Sequence, residues 1–131
     1  KNQKLLRGII SRFKKKKIRT SLFINPRLSD IKIAKKLNTD CIEIHTGHLS
    51  HLIKSRKKYT KELEKIINCS IFAYNLGIEV HAGHGLDYKT TKILNKIKEI
   101  EEFNIGHFII GESVFFGFQK VVQKFKKILK N

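Results

Sequence analysis

The sequence of 131 residues has no methionine, no tryptophan, a single proline and two cysteines. Because a complete translation product would normally begin with methionine, we expect a fragment, a processed product or a partial record. Cys41 and Cys69 lie in apolar stretches and form no CxxC pair, which argues against a disulfide framework and favours a reducing cytosol. No apolar run approaches the roughly 20 residues of a membrane-spanning helix, so we expect no membrane partner.

Acidic residues are also scarce. The chain has 11 Asp and Glu residues and 28 Lys and Arg residues, and its formal net charge is +17. So basic a chain raises the possibility of a nucleic-acid-binding module. Only five of the basic residues are arginine, however, the side chain that forks onto phosphates and base edges. The phenylalanines also follow helical core spacing. We therefore interpret the charge as solvated helix faces and expect no nucleic-acid partner.

Apolar periodicity alternates between helical and extended patterns along the chain. It predicts strands over 18–24, 41–45, 78–81 and 104–110. The predicted helices cover 2–15, a short segment capped by Ser29, a segment capped by Thr60 and stopped by Gly77, 89–97, and a last segment opened by Ser113. A basic loop over 47–59 is expected to hold His48 and His51. Four strand–helix units after a first helix indicate an α/β fold with a parallel sheet, either doubly wound or closed into a barrel.

Histidine and glycine recur at three consecutive strand ends, in EIHTG over 43–47, HAGHG over 81–85 and NIGH over 104–107. One such histidine is more often structural, but three on neighbouring strands favour function. The carboxyl ends of barrel strands converge on one rim, where active sites are built. Glycines there let backbone N–H groups approach an anion, and histidines move protons near neutral pH. The pattern therefore favours a barrel with a functional rim.

Two chemistries are compatible with this rim. Phosphate binding with proton transfer is favoured by glycines in the last two strand–helix loops and by the serine that follows them: Gly83, Gly85, Gly106, Gly111 and Ser113. Zinc is the alternative, with imidazoles from His45, His48, His81, His84 and His107. The strand ends offer one carboxylate, Glu43, and no bridging aspartate. The sequence thus favours phosphate, and a metal-dependent barrel hydrolase stays open as the alternative.

Four segments resemble the later strands of the pyridoxine 5'-phosphate synthase family, in the family's order and at its intervals. They read SLFINP over 21–26, IEIHTG over 42–47, AGHGL over 82–86, and NIGH over 104–107 with IIG over 109–111. The resemblance covers essentially the whole chain. It implies that residues 1–131 are the C-terminal half of a single TIM (β/α)8-barrel domain, comprising the last four strand–helix units and the preceding helix.

The resemblance also implies an activity in vitamin B6 biosynthesis. The family is a transferase-type, cytoplasmic enzyme that condenses 1-deoxy-D-xylulose 5-phosphate with 3-amino-2-oxopropyl phosphate. The products are pyridoxine 5'-phosphate, inorganic phosphate and water. No metal and no organic cofactor are implied, and the partners are small phosphorylated substrates and further copies of the chain, in homo-oligomers that are octamers in the family.

The resemblance assigns roles to five residues by position. His84 matches the proton donor in ring closure, and Glu43 matches a glutamate that stabilises charge in the transition state. Gly85 matches the glycine that contacts the amino ketone. Gly106 and His107 match the pair whose backbone N–H groups bind a substrate phosphate.

Three departures from the family pattern qualify these expectations. His81 stands where a small polar residue is usual, and Glu112 stands where a basic residue is common. The first four strands, which supply a catalytic histidine and a glutamate base, are absent. Because four strands cannot close a barrel, we expect the chain alone to be inactive, and an inactive remnant stays a further alternative.

Overall fold

The computed structural model describes residues 2–130 and shows an alternation of strands and helices. The elements, in chain order, are α1 (Gln3–Lys15), β1 (Ser21–Ile24), α2 (Leu28–Leu37), β2 (Cys41–His45), α3 (Gly47–Lys54), α4 (Thr60–Asn75), β3 (Glu79–Gly83), α5 (Tyr88–Leu94), β4 (Ile100–Asn104), α6 (His107–Phe116) and α7 (Phe118–Leu129). The strands form one parallel sheet in the order β1-β2-β3-β4. Sequential parallel strands joined by helices are consecutive units of a TIM barrel, which confirms the predicted fold class.

One face of the sheet packs against the helices and forms the core. It carries four fully buried side chains: Ile42, Ile44, Val80 and Ala82. They contact the apolar stripes of the helices, which include Ile31, Ala34, Ile66, Ala73 and Leu94. Because each fully buried isoleucine, valine or leucine stabilises the fold by about 1.5–3 kcal/mol, this face holds the sheet and helices together.

The opposite face of the sheet, called the inner face below, is largely polar. Side chains alternate between the faces of a strand, so Phe23, Glu43, His81 and Glu102, which are in register across the four strands, all lie on it. In a closed barrel this face is the interior. Here it is open, and the Phe23 side chain is 56% exposed.

The prediction of a loop over 47–59 is wrong, because residues Gly47–Lys54 form helix α3. Leu49 and Ile53 lie one helical turn apart and are both buried in the core. Because the residues around this apolar pair are mostly basic and polar, the composition of the segment indicates a loop. His48 and His51 are therefore helical residues, not loop residues.

The predicted strand over 104–110 is also wrong, because β4 ends at Asn104 and α6 begins at His107. β4 is an edge strand with exposed acidic residues, Glu101 and Glu102, so it has no apolar signature. Ser113 does not open a helix. It lies inside α6, where its hydroxyl donates to the Ile109 carbonyl at 2.5 Å.

The helix caps predicted at Ser29 and Thr60 are absent, and the helix stop predicted at Gly77 is confirmed. The N-caps of α2 and α4 are Arg27 and Tyr59, and neither Ser29 nor Thr60 makes a side-chain cap. Gly77 follows α4 with φ of +69°, and its N–H donates to the Tyr74 carbonyl, as predicted for a helix stop. The remaining predicted elements are confirmed, with bounds shifted by up to three residues. No helix within residues 2–130 is long and apolar enough to cross a membrane.

Candidate functional site

A cavity of about 640 Å³ lies at the carboxyl ends of β3 and β4. Four of the five predicted site residues line it: His84, Gly85, Gly106 and His107. Glu43 does not line the cavity, but its carboxylate accepts a hydrogen bond from Asn104, which does. The structure therefore brings the predicted residues together around one opening.

The turn after β3 holds His84 in an unusual backbone conformation. His84 has φ of +75° and Gly85 has φ of +76°. Left-handed backbone is costly for a residue with a side chain, and such strain persists only where the surroundings enforce it. A Cβ at Gly85 would also lie 3.3 Å from the Ser50 Cβ. The turn thus presents the exposed His84 imidazole to solvent while the backbone is tightly constrained.

Thr46 supplies the constraint on this turn. Its side chain is fully buried, and its hydroxyl lies 2.8 Å from the Gly83 carbonyl oxygen and 2.9 Å from the His84 carbonyl oxygen. A hydroxyl has one proton, so the two carbonyls share it. The Thr46 backbone N–H also donates to the Gly83 carbonyl at 2.9 Å. The sequence places Thr46 at a strand end but does not reveal this role.

Three rings meet beside the turn. The His45 and His84 ring centroids are 4.7 Å apart, and Phe23 packs edge-on against His45 at 5.1 Å. Gly47 makes room for both imidazoles, because a Cβ there would lie 2.7 Å from the His84 Cδ2. Burial, and then the neighbouring His84, lower the pKa of His45 below its ordinary value. His45 therefore favours its neutral form near neutral pH.

Glu43 reaches the rim by passing over Gly83. Its Oε2 accepts a hydrogen bond from the Asn104 Nδ2 at 2.9 Å. A Cβ at Gly83 would lie 1.9 Å from the Glu43 Oε1, so only glycine leaves this path open. Gly83 was predicted as a loop residue of a phosphate site, but it ends β3 and instead makes space for the carboxylate.

The N-terminus of α6 faces the cavity from the other side. Gly106 is its N-cap, His107 is its first residue, and the first turn holds no acidic side chain. The first N–H groups of a helix have no partner within the helix and carry partial positive charge, which suits an anion. Within residues 2–130, a Cβ built at Gly106 or Gly111 would meet no atom within 4 Å apart from its chain neighbours and the backbone of its own helix. Gly111, predicted in a loop, lines the cavity from inside α6.

Comparisons with known proteins match the whole chain. Residues 1–131 match the family model described as pyridoxal phosphate biosynthesis protein PdxJ. The chain belongs to the PdxJ family. It is 64% identical over 128 residues to the pyridoxine 5'-phosphate synthase of Pelagibacter ubique (strain HTCC1062), covering 98% of the chain and 54% of that relative. The synthase of Sulfurihydrogenibium sp. (strain YO3AOP1) is 42% identical over 126 residues, covering 96% of the chain and 51% of the relative.

The chain spans about half the length of the curated relatives it matches. The synthase of Zymomonas mobilis subsp. mobilis (strain ATCC 31821 / ZM4 / CP4) extends the same observation, with 39% identity over 124 residues that cover 95% of the chain and 48% of the relative. These shares are consistent with the predicted C-terminal half of a PdxJ protein.

His81, expected to depart from the family pattern, lies on the inner face in the middle of β3. Its Nε2 is 2.8 Å from the Glu79 Oε1, and its Nδ1 is 3.6 Å from the Glu102 Oε1. Glu79 also pairs with the Arg19 guanidinium. The hydrogen bond from His81, and then the pairing with Arg19, lower the pKa of Glu79 against the effect of burial. His81 thus makes a hydrogen bond to Glu79 within β3 and lies within ion-pair distance of Glu102 on β4.

Three of the five histidines proposed for zinc lie in surroundings different from one another. His81 is engaged by carboxylates on the inner face, and His48 lies 3.4 Å from the Glu62 carboxylate on α4. His107 begins α6 on the far side of the cavity. In the described part of the chain, no group of three or more His, Cys, Asp or Glu side chains is placed to hold a metal ion.

Proposed function

We propose that this chain is the C-terminal half of a pyridoxine 5'-phosphate synthase and forms the part of its site that binds the amino-ketone phosphate. The reaction would condense 1-deoxy-D-xylulose 5-phosphate with 3-amino-2-oxopropyl phosphate. One observation carries the proposal: His84, on its constrained turn, lines the same cavity as the N-terminus of α6. A proton donor and an anion site are therefore close enough to act on one small phosphorylated molecule.

In this proposal the N-terminus of α6 holds the phosphate. Backbone N–H groups at Gly106 and His107 donate to its oxygens, and the exposed glycine lets the anion approach the helix end. Gly85, beside His84, contacts the rest of the amino ketone. Its missing side chain keeps the path from the phosphate to the His84 imidazole open.

Proton transfer falls to His84 in the same proposal. Ring closure expels water, and an imidazolium is a suitable acid near neutral pH. His45, 4.7 Å away between ring centroids, has a lowered pKa and favours its neutral form, so it adds no second positive charge beside His84. Glu43, oriented by Asn104, supplies a fixed negative charge that stabilises cationic character in the transition state.

We further propose that the described sheet is half of one barrel. Its two edges, β1 and β4, have unpaired sides, and the inner face is open. The exposed apolar residues Ile110, Val114, Phe115 and Phe118 support burial of α6 and α7 against further protein, from the other half-barrel or from another copy in an oligomer. Two free, buried cysteines support a cytoplasmic location. The chain alone is then expected to show no activity.

The direct test replaces His84 in the longest natural polypeptide that carries this chain. His84→Ala should lower the rate of pyridoxine 5'-phosphate formation by about 10²- to 10⁴-fold, the range typical of a lost general acid. His51→Ala is the matched control, because His51 is an exposed histidine on α3 outside the cavity. Normal turnover by His84→Ala would overturn the assignment of the proton donor, and no product from the wild-type protein would overturn the proposed function.

A further inference from the structure

Helix α3 brings a lysine to the cavity that the predicted loop did not provide. Lys54 is the last residue of α3, and Ile53 beside it is buried in the core, which fixes the end of the helix. The Lys54 ammonium donates a hydrogen bond to the Gly85 carbonyl at 3.2 Å. Among residues 2–130, Lys54 is the one lysine or arginine that lines the cavity.

The cavity contains one acidic side chain, whose negative charge Lys54 can offset. Glu112, half-buried on α6, lines the same cavity and carries negative charge toward the anion site. The remaining groups that would meet a phosphate are the backbone N–H groups of α6 and two imidazoles, His84 and His107. A phosphate dianion bound there would therefore face a carboxylate, and the Lys54 ammonium lies at the same cavity to offset it.

The geometry also allows one ammonium to serve two partners. A lysine ammonium has three donors on a flexible four-carbon stem. It can keep its bond to the Gly85 carbonyl and donate to a phosphate oxygen with another proton. Since Gly85 follows His84, such a bridge would connect the bound phosphate to the turn that presents the imidazole.

We propose that Lys54 is a specificity-determining residue, which pairs with the phosphate group at the N-terminus of α6 and so selects the phosphorylated amino ketone over its unphosphorylated form. The inference rests on the proposed function and adds a residue to that site. The rival explanation is structural: Lys54 only tethers the Gly85 carbonyl and positions His84 through the backbone.

The test compares Lys54→Met with Lys57→Met in the longest natural polypeptide that carries this chain. Methionine keeps the length of the stem and removes the charge. Lys57 is an exposed lysine three residues later that does not line the cavity, so its substitution makes the same change in net charge. Lys54→Arg keeps the cation and is the conservative rescue variant.

Two quantities are measured: the Kd for inorganic phosphate, by titration, and the KM and kcat for the amino-ketone phosphate. For Lys54→Met we expect both Kd and KM to rise about 10- to 100-fold, as for a lost charge-assisted hydrogen bond, with kcat within about threefold of wild type. Lys57→Met should stay within about twofold of wild type, and Lys54→Arg should recover most of the phosphate affinity.

Two outcomes would overturn the inference in different ways. Unchanged phosphate affinity in Lys54→Met, together with a lower kcat, would establish the tether and remove the role in specificity while leaving the proposed function intact. A wild-type protein that binds inorganic phosphate but forms no pyridoxine 5'-phosphate would overturn the proposed function, and the claim about the amino ketone with it.

Discussion

The two sides of the cavity are built differently. On the β2–β3 side, glycines are surrounded: added Cβ atoms at Gly47 and Gly83 would lie 2.7 Å and 1.9 Å from side chains of the site. On the α6 side, such a Cβ at Gly106 or Gly111 would meet nothing within 4 Å in the described structure beyond the local backbone. In the proposed function, the first side holds the groups that must keep fixed positions to transfer protons, and the second leaves space for a ligand to enter. Glycine thus serves packing on one side and access on the other.

Among variants that compare the two sides of the cavity, the largest expected effect comes from closing the path that Glu43 takes. Gly83→Ala would place a methyl group on the Glu43 carboxylate, which must swing away and lose the hydrogen bond from Asn104. A hydrogen bond to a charged group contributes about 1.5–3 kcal/mol, so we expect a fall of about 10- to 100-fold in the rate of pyridoxine 5'-phosphate formation. The measurement is kcat at saturating substrates.

Gly106→Ala is the contrasting variant on the open side. Since no other part of the described chain crowds this position, the free energy of unfolding should fall by no more than about 1 kcal/mol, the cost of alanine relative to glycine at an N-cap. Any effect should fall on the KM of the amino-ketone phosphate. If Gly83→Ala and Gly106→Ala changed kcat and KM to the same extent, the distinction between the two sides would be lost.

The next effect concerns the hydroxyl that constrains the turn. Thr46→Val keeps the shape of the side chain but leaves the His84 carbonyl without the hydroxyl and the Gly83 carbonyl with the backbone N–H alone. We expect the free energy of unfolding to fall by about 1–3 kcal/mol, as for a buried polar group that loses its partner. Denaturant titration measures it. Thr46→Ser, which retains the hydroxyl, should recover most of the loss, and equal losses in both variants would contradict the explanation.

The smallest effect is a pH dependence from His45. Because its folded pKa lies below its unfolded value, the unfolded chain binds a proton more readily, and stability falls as pH decreases below about 6.5 toward the lowered folded pKa. His45→Gln should lose less stability than the wild type between about pH 7 and pH 5. Thermal unfolding at several pH values measures this difference. Parallel curves for the two proteins would show that His45 does not contribute.

The prediction from sequence succeeded where local pattern and burial agree. β2 and β3 are flanked by neighbours on both sides, so Ile42, Ile44 and Val80 alternate clearly with polar residues. It failed at β4, where an edge position tolerates Glu101 and Glu102, and at α3, where lysines and histidines surround the buried Leu49. In both cases the residue types reflect exposure to solvent. They therefore do not reveal whether the backbone forms a strand or a helix.

The sequence by itself determined the places of β1, β2 and β3, the parallel topology and membership of the PdxJ family. These follow from apolar periodicity and from short motifs, both of which are local. Only the tertiary structure decided that Gly83 makes space for Glu43, that Thr46 constrains His84, and that Lys54 reaches Gly85. The partners in each case are about 30 to 40 residues apart. These partners come within a few ångströms of each other because of the sheet register and the helix packing. Apolar periodicity predicts neither the register nor the packing.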